Sequence, residues 1–354
     1  MNDPGMNDPG MYVARPATAA DVDDLYELVQ RASIGLTTLK VTRDRLAERV
    51  ARSEHSFSQP QARPEGQPYA FVLVDTCQGR IIGTSTIYSK VGGFEPFYMY
   101  EIKTERKVSK DEDMNVNVDV RIPYLSLVKQ HDGPTEIGSL YLSPEYWGLG
   151  LGRLLSLCRF LFLAEYPGRF ESEVIAEMRG VINGQGESPL WNAIGQHFFQ
   201  QSFPQAESLT VKSKKFIAEL MPEIPIYIPL LPTEAQQVIG EVHENTKPAL
   251  AMLQKEGFEY RNFVDIFDGG PAIHCESNRI RSVAESRKVK VGEIASRVES
   301  ETRLISNCRL DFRTTRGPVE ITDQGNTPCA TIDQVTALLL GLRVGDDMRF
   351  VAAK

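Results

Sequence analysis

Eight consecutive residues, Tyr146-Trp147-Gly148-Leu149-Gly150-Leu151-Gly152-Arg153, carry the strongest local signal for chemistry in this 354-residue sequence. They follow an apolar, strand-like run, Glu136-Ile137-Gly138-Ser139-Leu140-Tyr141-Leu142, and lead into residues 151–166, which are apolar on most faces of a helix. A strand that enters a G-x-G turn opening a helix aims backbone N–H groups at one point, and Gly150 and Gly152 let an anion come close to them. A dinucleotide fingerprint is excluded: counted from Gly150 the third glycine would fall at Leu155, and counted from Gly148 at Arg153. No Gly-Lys-Ser/Thr of a P-loop occurs either. The turn therefore suits a diphosphate that is held but not cleaved, such as that of coenzyme A. It equally suits a tight turn packed on a buried helix, and the motif alone does not choose.

Other catalytic signatures fail. His243-Glu244 begins an H-E-x-x-H motif but Lys247 stands where the second His belongs, and there is no G-x-S-x-G elbow. The five cysteines (Cys77, Cys158, Cys275, Cys308, Cys329) form no C-x-x-C pair, so neither a metal site nor a redox disulfide is expected. Zincin, kinase and serine-hydrolase chemistry drop out. An imidazole can both accept and donate a proton near neutral pH. Of the five histidines, His55 falls in a polar loop, His131 before Asp132-Gly133, and His197 beside Phe198-Phe199, where it reads as packing; His243 and His274 stay open. Glu177 and Arg179 alternate along a strand-like run and so share a face, either as an intrastrand ion pair or as partners for a charged substrate. Asp265 and Asp268 are weaker candidates, because Asp268-Gly269-Gly270 also reads as a turn.

The elements that must position these residues alternate between strand and helix. Tyr12 to Pro16 reads as a strand, and Thr18 to Asp21 cap a helix bearing Val22, Leu25, Leu28 and Val29. A helix around 46–52, a polar loop over 53–67, and a hairpin of 69–74 and 81–88 across Cys77-Gln78-Gly79-Arg80 follow. Residues 94–128 mix aromatic, charged and β-branched types without a clear period, with Asp111-Glu112-Asp113 as a turn. Beyond the glycine turn come a strand at 173–178 and a helix at 189–199. A second strand–helix–strand pattern then follows: strand 216–220, helices 235–242 and 247–256, and strand 263–267. From about Val289 the chain breaks into short strands with one helix at 332–339, a small β-rich part without evident chemistry.

At roughly 150 residues per domain the length suggests about two domains. Hydrophobic residues at 42% and charged ones at 24% are ordinary globular usage, which excludes disordered and coiled-coil readings. The net charge of −8, with no dense Lys/Arg block, excludes nucleic acid as a partner. The odd, scattered cysteines fit a reducing compartment, the cytoplasm. The longest apolar run, 154–164, is broken by Arg159 and falls short of the ~20 residues that span a bilayer, so no membrane association is expected. The opening MNDPG repeat, residues 1–10, has nothing to bury and is expected to be a disordered extension.

The strand, the 146–152 turn, the buried helix and the strand Val174-Ile175-Ala176-Glu177-Met178-Arg179-Gly180 together resemble the acyl-CoA core of the GNAT N-acyltransferases. More narrowly, 176–182, Phe216-Ile217-Ala218-Glu219-Leu220-Met221-Pro222, Glu256-Gly257-Phe258 and 263–271 resemble the arginine N-succinyltransferase family, over roughly residues 11–281. The resemblance implies an α/β (α+β) fold: a GNAT-like acyl-CoA-binding domain over 11–215, a second α/β half over 216–285 carrying His243, and a β-rich region over 286–354. It implies transfer of succinyl from succinyl-CoA, a co-substrate rather than a resident cofactor, to the α-amino group of L-arginine. This is the first step of arginine catabolism by the succinyltransferase route. Ornithine as acceptor, or a weakly catalytic partner subunit, are the alternatives, and a homo-oligomer or pairing with a related subunit is expected.

Residue roles carry over from the same resemblance. His243 matches the proton donor and Leu140 the succinyl-CoA contact. Leu142, Leu149, Gly150, Leu151, Gly152 and Arg153 would hold the pantetheine arm and pyrophosphate, and Glu177 and Arg179 the substrate charges. The GNAT turn ordinarily begins with Gln or Arg; this sequence has Trp147 there, which removes the usual side-chain donor.

Overall fold

The computed structural model describes residues 11–31, 41–60, 63–111, 113, 115–210, 215–324 and 327–353; the MNDPG repeat lies outside them. In chain order the elements are β1 (Tyr12–Pro16), α1 (Val22–Gln30), α2 (Arg43–Ser58), β2 (Pro68–Asp75), β3 (Arg80–Tyr88), β4 (Gly92–Asp111), β5 (Val116–Asp132), β6 (Thr135–Leu142) and α3 (Leu151–Glu165). They continue with β7 (Glu173–Glu177), α4 (Pro189–Ala193), α5 (Gly195–Phe199), α6 (Phe203–Thr210), α7 (Lys215–Leu220), β8 (Ile226–Tyr227), α8 (Thr233–Val238) and α9 (Lys247–Lys255). The last are β9 (Glu259–Val264), β10 (Pro271–Glu276), α10 (Arg281–Ala284), β11 (Arg287–Ala295), β12 (Thr302–Asn307), β13 (Thr314–Gln324), β14 (Thr327–Asp333), α11 (Gln334–Leu340) and β15 (Asp347–Ala352). This is the mixed α/β class expected from the sequence.

The chain divides into two compact units. The first comprises the described residues of Met1–Lys90, Thr135–Val174 and Glu276–Lys354, the second those of Val91–Pro134 and Ile175–Cys275. In the first unit the strands run in the order β12-β15-β11-β14-β13-β1-β2-β3-β6. Neighbours are antiparallel except β11 and β14, which are parallel. β13 joins β1 at Ala14↔Thr314, so the C-terminal strands extend the sheet that begins with the first. Val22, Leu25, Leu28 and Val29 are buried, as their helical spacing requires, and pack with Leu46, Val50 and Val72. Phe162 of α3 lies at the centre of an aromatic cluster, with ring centroids 5.2 Å from Phe57, 5.6 Å from Phe71 and 5.2 Å from Phe312.

The polar loop expected over 53–67 is helical over its first six residues, since α2 runs on to Ser58. Tertiary contacts explain the extension: Phe57 buries against Tyr69 and Phe71, and the Ser53 hydroxyl accepts from Ala70 N at 2.8 Å. His55 is therefore on an exposed helical turn rather than in a loop.

The second unit orders its strands β7-β10-β9-β4-β5-β8. The stretch without a clear period is a long antiparallel hairpin, β4 and β5, paired from Phe97↔Gln130 to Asp111↔Val116. Its outer half is exposed on both faces, which removes the alternation that marks a half-buried strand. The expected helix 189–199 is two short helices broken at Ile194. A Cβ on Gly195 would lie 2.3 Å from the Trp191 ring, so the chain bends around the indole. Residues 216–220 form helix α7, not a strand, with Ile217 alone of its residues fully buried in the Trp191 core; five residues of mixed apolar type do not distinguish the two periods.

Candidate functional site

In the first unit β6 does not run straight to the glycine turn. Its register against β3 passes from Thr84↔Tyr141 to Thr86↔Gly138, so Ser139 and Leu140 together oppose Ser85, and Ser139 has φ +52°. This is a β-bulge, which takes a residue out of the one-to-one ladder, and it falls at Leu140. Behind it the guanidinium of Arg159, buried in α3, donates to Ser156 O at 3.0 Å, Ser156 Oγ at 2.7 Å and Gly138 O at 3.4 Å. Burial lowers the Arg159 pKa to about 10, so it remains a cation at neutral pH.

At the end of β6, Pro144–Tyr146 make a single tight turn. The Trp147 indole N–H donates to Leu142 O at 2.9 Å, folding the turn back on the strand that precedes it. Trp147 is 59% exposed, but its one polar group is spent on this clamp. Gly148 and Gly150 both adopt left-handed backbone, φ +81° and +75°, which side chains disfavour. Gly150 is the N-cap of α3; it offers no side-chain cap, and the first turn of the helix holds no acid. Its orphan N–H groups and positive end thus meet no competing carboxylate from the helix's own first turn. Arg153 reaches Ala353 O at 3.3 Å, and Arg316 of β13 reaches Leu149 O at 3.4 Å. Sequence reading passed over Arg316, which enters the region only through the pairing of β13 with β1.

In the second unit the chain leaves β7 at Glu177, so Arg179 lies beyond the strand and the shared face inferred from alternation does not apply. No ion pair forms between Glu177 and Arg179; the Nε and Nη2 atoms of Arg179 are buried without a hydrogen-bond partner. The backbone here is held by Asp268, whose Oδ2 accepts from Gly180 N and whose Oδ1 accepts from Gly270 N, each at 2.8 Å. A Cβ on Gly270 would sit 2.0 Å from Met178 O, so only glycine permits this approach. Burial pushes the Asp268 carboxyl up, against the pull of the Gly270 and Gly180 N–H groups and the Arg179 charge. The Tyr100 hydroxyl, also buried without a partner, has its pKa raised by burial and by Asp265. Asp265 Oδ1 accepts from Phe267 N at 2.7 Å and Asp268 N at 2.8 Å, which makes it a turn former.

The same backbone places His243. Gly180 bridges to Val242, and His243 N donates to Arg179 O at 2.9 Å. His243 Nδ1 accepts from Asn245 N at 3.2 Å, which leaves the ring proton on Nε2. The rival His274 is buried with its ring 5.4 Å from Phe263. His197, read as packing, is exposed on α5, and His131 bonds Gly93 O at 2.8 Å across β4 and β5. Leu140, Leu142 and residues 149–153 thus belong to the first unit, and Glu177, Arg179 and His243 to the second.

A polar cleft of about 780 Å³ in the first unit, lined by His55, Gln59, Arg63, Glu165, Tyr166 and Arg169, includes none of these residues. Arg169 there is committed to Tyr69 Oη at 3.1 Å and the carbonyls of Ser56 and Pro60 at 3.3 Å, which is a structural role. Among the described residues no helix is long and apolar enough to cross a membrane, and no group of His, Cys, Asp and Glu is arranged to hold a metal ion.

The family profile described as arginine N-succinyltransferase beta subunit matches residues 12–282, and that of its C-terminal domain matches 286–352. The arginine N-succinyltransferase subunit beta of Pseudomonas aeruginosa is 41% identical over 341 residues, covering 96% of this chain and 97% of that one. The arginine N-succinyltransferase of Photorhabdus laumondii is 45% identical over 294 residues, 83% of each. Among solved structures, the arginine/ornithine succinyltransferase subunit AI of P. aeruginosa superposes with a TM-score of 0.86 at 33% identity, covering 97% of this chain and 99% of that one. Matched almost from end to end, the chain belongs to the arginine N-succinyltransferase family.

Proposed function

We propose that this acyltransferase moves the succinyl group of succinyl-CoA to the α-amino group of L-arginine, with Leu140 and the 149–153 turn holding the donor and His243 moving the proton. The observation that carries the reading is the β6 bulge at Leu140, which leads directly into a left-handed glycine turn whose helix N-terminus is free of acids. A backbone N–H released from the ladder at Leu140 polarises the thioester carbonyl as the tetrahedral oxyanion forms. The diphosphate of CoA lies on the N–H groups of Leu151, Gly152 and Arg153.

In the reaction the C–N bond forms and the C–S bond breaks; the amine loses one proton and the departing thiolate gains one. His243 donates to the departing sulfur through Nε2–H, because Nδ1 is occupied by Asn245 N–H; the amine releases its proton to solvent, and solvent returns one to Nε2. The buried N–H groups of Arg179 suit the carboxylate of a substrate, and Glu177 its guanidinium. The reading is tested by CoA-thiol release from the purified chain, with succinyl-CoA against acetyl-CoA as donor and arginine, ornithine or no amine as acceptor. Release that needs succinyl-CoA and arginine supports it; release with acetyl-CoA and no preference among amines overturns it.

A second reading is favoured by the names of two relatives, a subunit beta and a subunit AI of an arginine/ornithine enzyme. It holds that the chain also accepts ornithine and assembles with further copies or with a related subunit. Light scattering of the purified chain and the ornithine arm of the same assay test it.

A further inference from the structure

Among the described residues Arg316 is a cation without an anion. Several other cations of the C-terminal region have acids: Arg303 pairs with Glu301 at 2.9 Å, Arg309 with Asp311 at 3.1 Å, Lys290 with Asp347 at 3.0 Å and Arg349 with Glu165 at 3.0 Å. Arg316 makes no ion pair among the described residues, in a chain whose net charge is −8. Its Nε is buried with no hydrogen-bond partner, and its Nη1 has only the long 3.4 Å contact to Leu149 O. A guanidinium partly withdrawn from water with its donors unmet is costly unless an anion completes it.

Its position says which anion. Nη1 lies 2.8 Å from the point a Cβ on Gly150 would occupy, directly against the turn. The backbone beneath it is anchored: Thr314 pairs with Ala14, and the Thr315 hydroxyl donates to Tyr12 O at 2.6 Å. Arg153, in the first turn of α3, likewise pairs with no acid among the described residues and donates to Ala353 O at 3.3 Å. One guanidinium, that of Arg316, and the orphan N–H groups of a helix whose first turn holds no acid therefore meet at one turn, while Trp147 spends its indole N–H on Leu142 O.

We infer that Arg316, supplied by the C-terminal strands, is a ligand for the diphosphate of the acyl-CoA donor and takes the place of a side-chain donor from the turn itself. The inference rests on the proposed CoA-binding role of the turn. It also gives the β-rich C-terminal region a part in donor binding, since β13 carries the charge to the site. A planar guanidinium matches phosphate oxygens in bidentate fashion, which a lysine does not.

Calorimetric binding of CoA and of 3′-dephospho-CoA to the full chain tests this, comparing wild type, Arg316→Gln, Arg316→Lys and, as a control for general surface charge, Arg309→Gln. Thermal melting checks that each variant is folded. Loss of roughly 10- to 100-fold in affinity for both ligands is expected for Arg316→Gln, the range for a charge-assisted hydrogen bond. Partial recovery in Arg316→Lys and no loss in Arg309→Gln are expected with it. Wild-type affinity in Arg316→Gln overturns the inference while leaving the turn as the CoA site. Loss for CoA but not for dephospho-CoA overturns it too, assigning Arg316 to the 3′-phosphate instead. Failure of the wild type to bind either ligand removes the CoA reading of the turn and this assignment together.

Discussion

At His243 one ring nitrogen is already committed, because Nδ1 accepts from Asn245 N and Nε2 therefore bears the proton. A residue so prepared is a donor toward a leaving thiolate before it is a base. Replacing it by alanine is expected to lower kcat by about 10²-fold or more with little change in CoA affinity, measured by steady-state thiol release alongside calorimetry. Wild-type turnover in that variant takes His243 out of the mechanism. Gly150 sits under a different constraint. With φ +75° and Arg316 Nη1 2.8 Å from any Cβ, Gly150→Ala strains the backbone and displaces the guanidinium at once. Weaker CoA binding with an unchanged KM for arginine is the expected result, and unchanged CoA affinity counts against the turn as the diphosphate site.

Among the elements, the start of α1 depends on a single carboxylate. Asp21 accepts from Arg15 in bidentate fashion at 2.7 and 2.8 Å, and from Thr18 N and Oγ1 at 2.8 and 2.9 Å. Burial alone would push its pKa up, yet these hydrogen bonds outweigh burial and hold it below the ordinary aspartate value. Because the folded pKa is depressed, the stabilisation is fully present above about pH 4, the unfolded value, and is lost as pH falls through the lower folded one. Asp21→Asn is expected to cost about 2–3 kcal/mol at pH 7 by urea denaturation and to flatten the acid limb of the stability profile. A profile identical to wild type would show that the pair contributes nothing net. Asp268 plays the equivalent part beyond β7, binding Gly180 and Gly270, and the loop bearing His243 is fastened to that same backbone. Asp268→Ala is expected to reduce kcat more than it raises the KM for succinyl-CoA, because it moves His243 and leaves the glycine turn in place.

For the molecule as a whole, the C-terminal strands are part of the first unit's architecture. β13 completes one edge of β1, and Phe312, which is fully buried, packs against Phe71 and Phe162. Phe312→Ala is expected to destabilise the fold by about 3–5 kcal/mol, a core-aromatic cost, read from chemical denaturation of the full chain. A loss under 1 kcal/mol would mean the C-terminal strands are an independent appendage. The free thiols are inert in this architecture where burial dominates: Cys158 is pushed up to about 12 by burial, and Cys308 to about 12 by burial and by Glu165.

The α/β class, the membership of the succinyltransferase family, the glycine turn and the helix behind it are legible in the sequence, because each rests on local patterning or on long matched segments. Val22, Leu25, Leu28 and Val29 are buried where a 3.6-residue period puts them, and Gly150 is left-handed where a turn needs it. Other features arise only when distant segments pack together. A bulge has no signature in Ser139-Leu140 until β3 supplies the register against which an extra residue can be counted. Helix α2 extends to Ser58 because Phe57 finds a ring cluster and Ser53 an N–H, partners that lie on β2 or beyond in the chain. The placement of His243 beside Arg179 and Gly180, the burial of Arg179 Nε and Nη2 and the approach of Arg316 to a turn 166 residues earlier depend on long-range backbone pairing. Periodicity reports which face of an element is apolar, but not which charged side chain a neighbouring strand will carry to it.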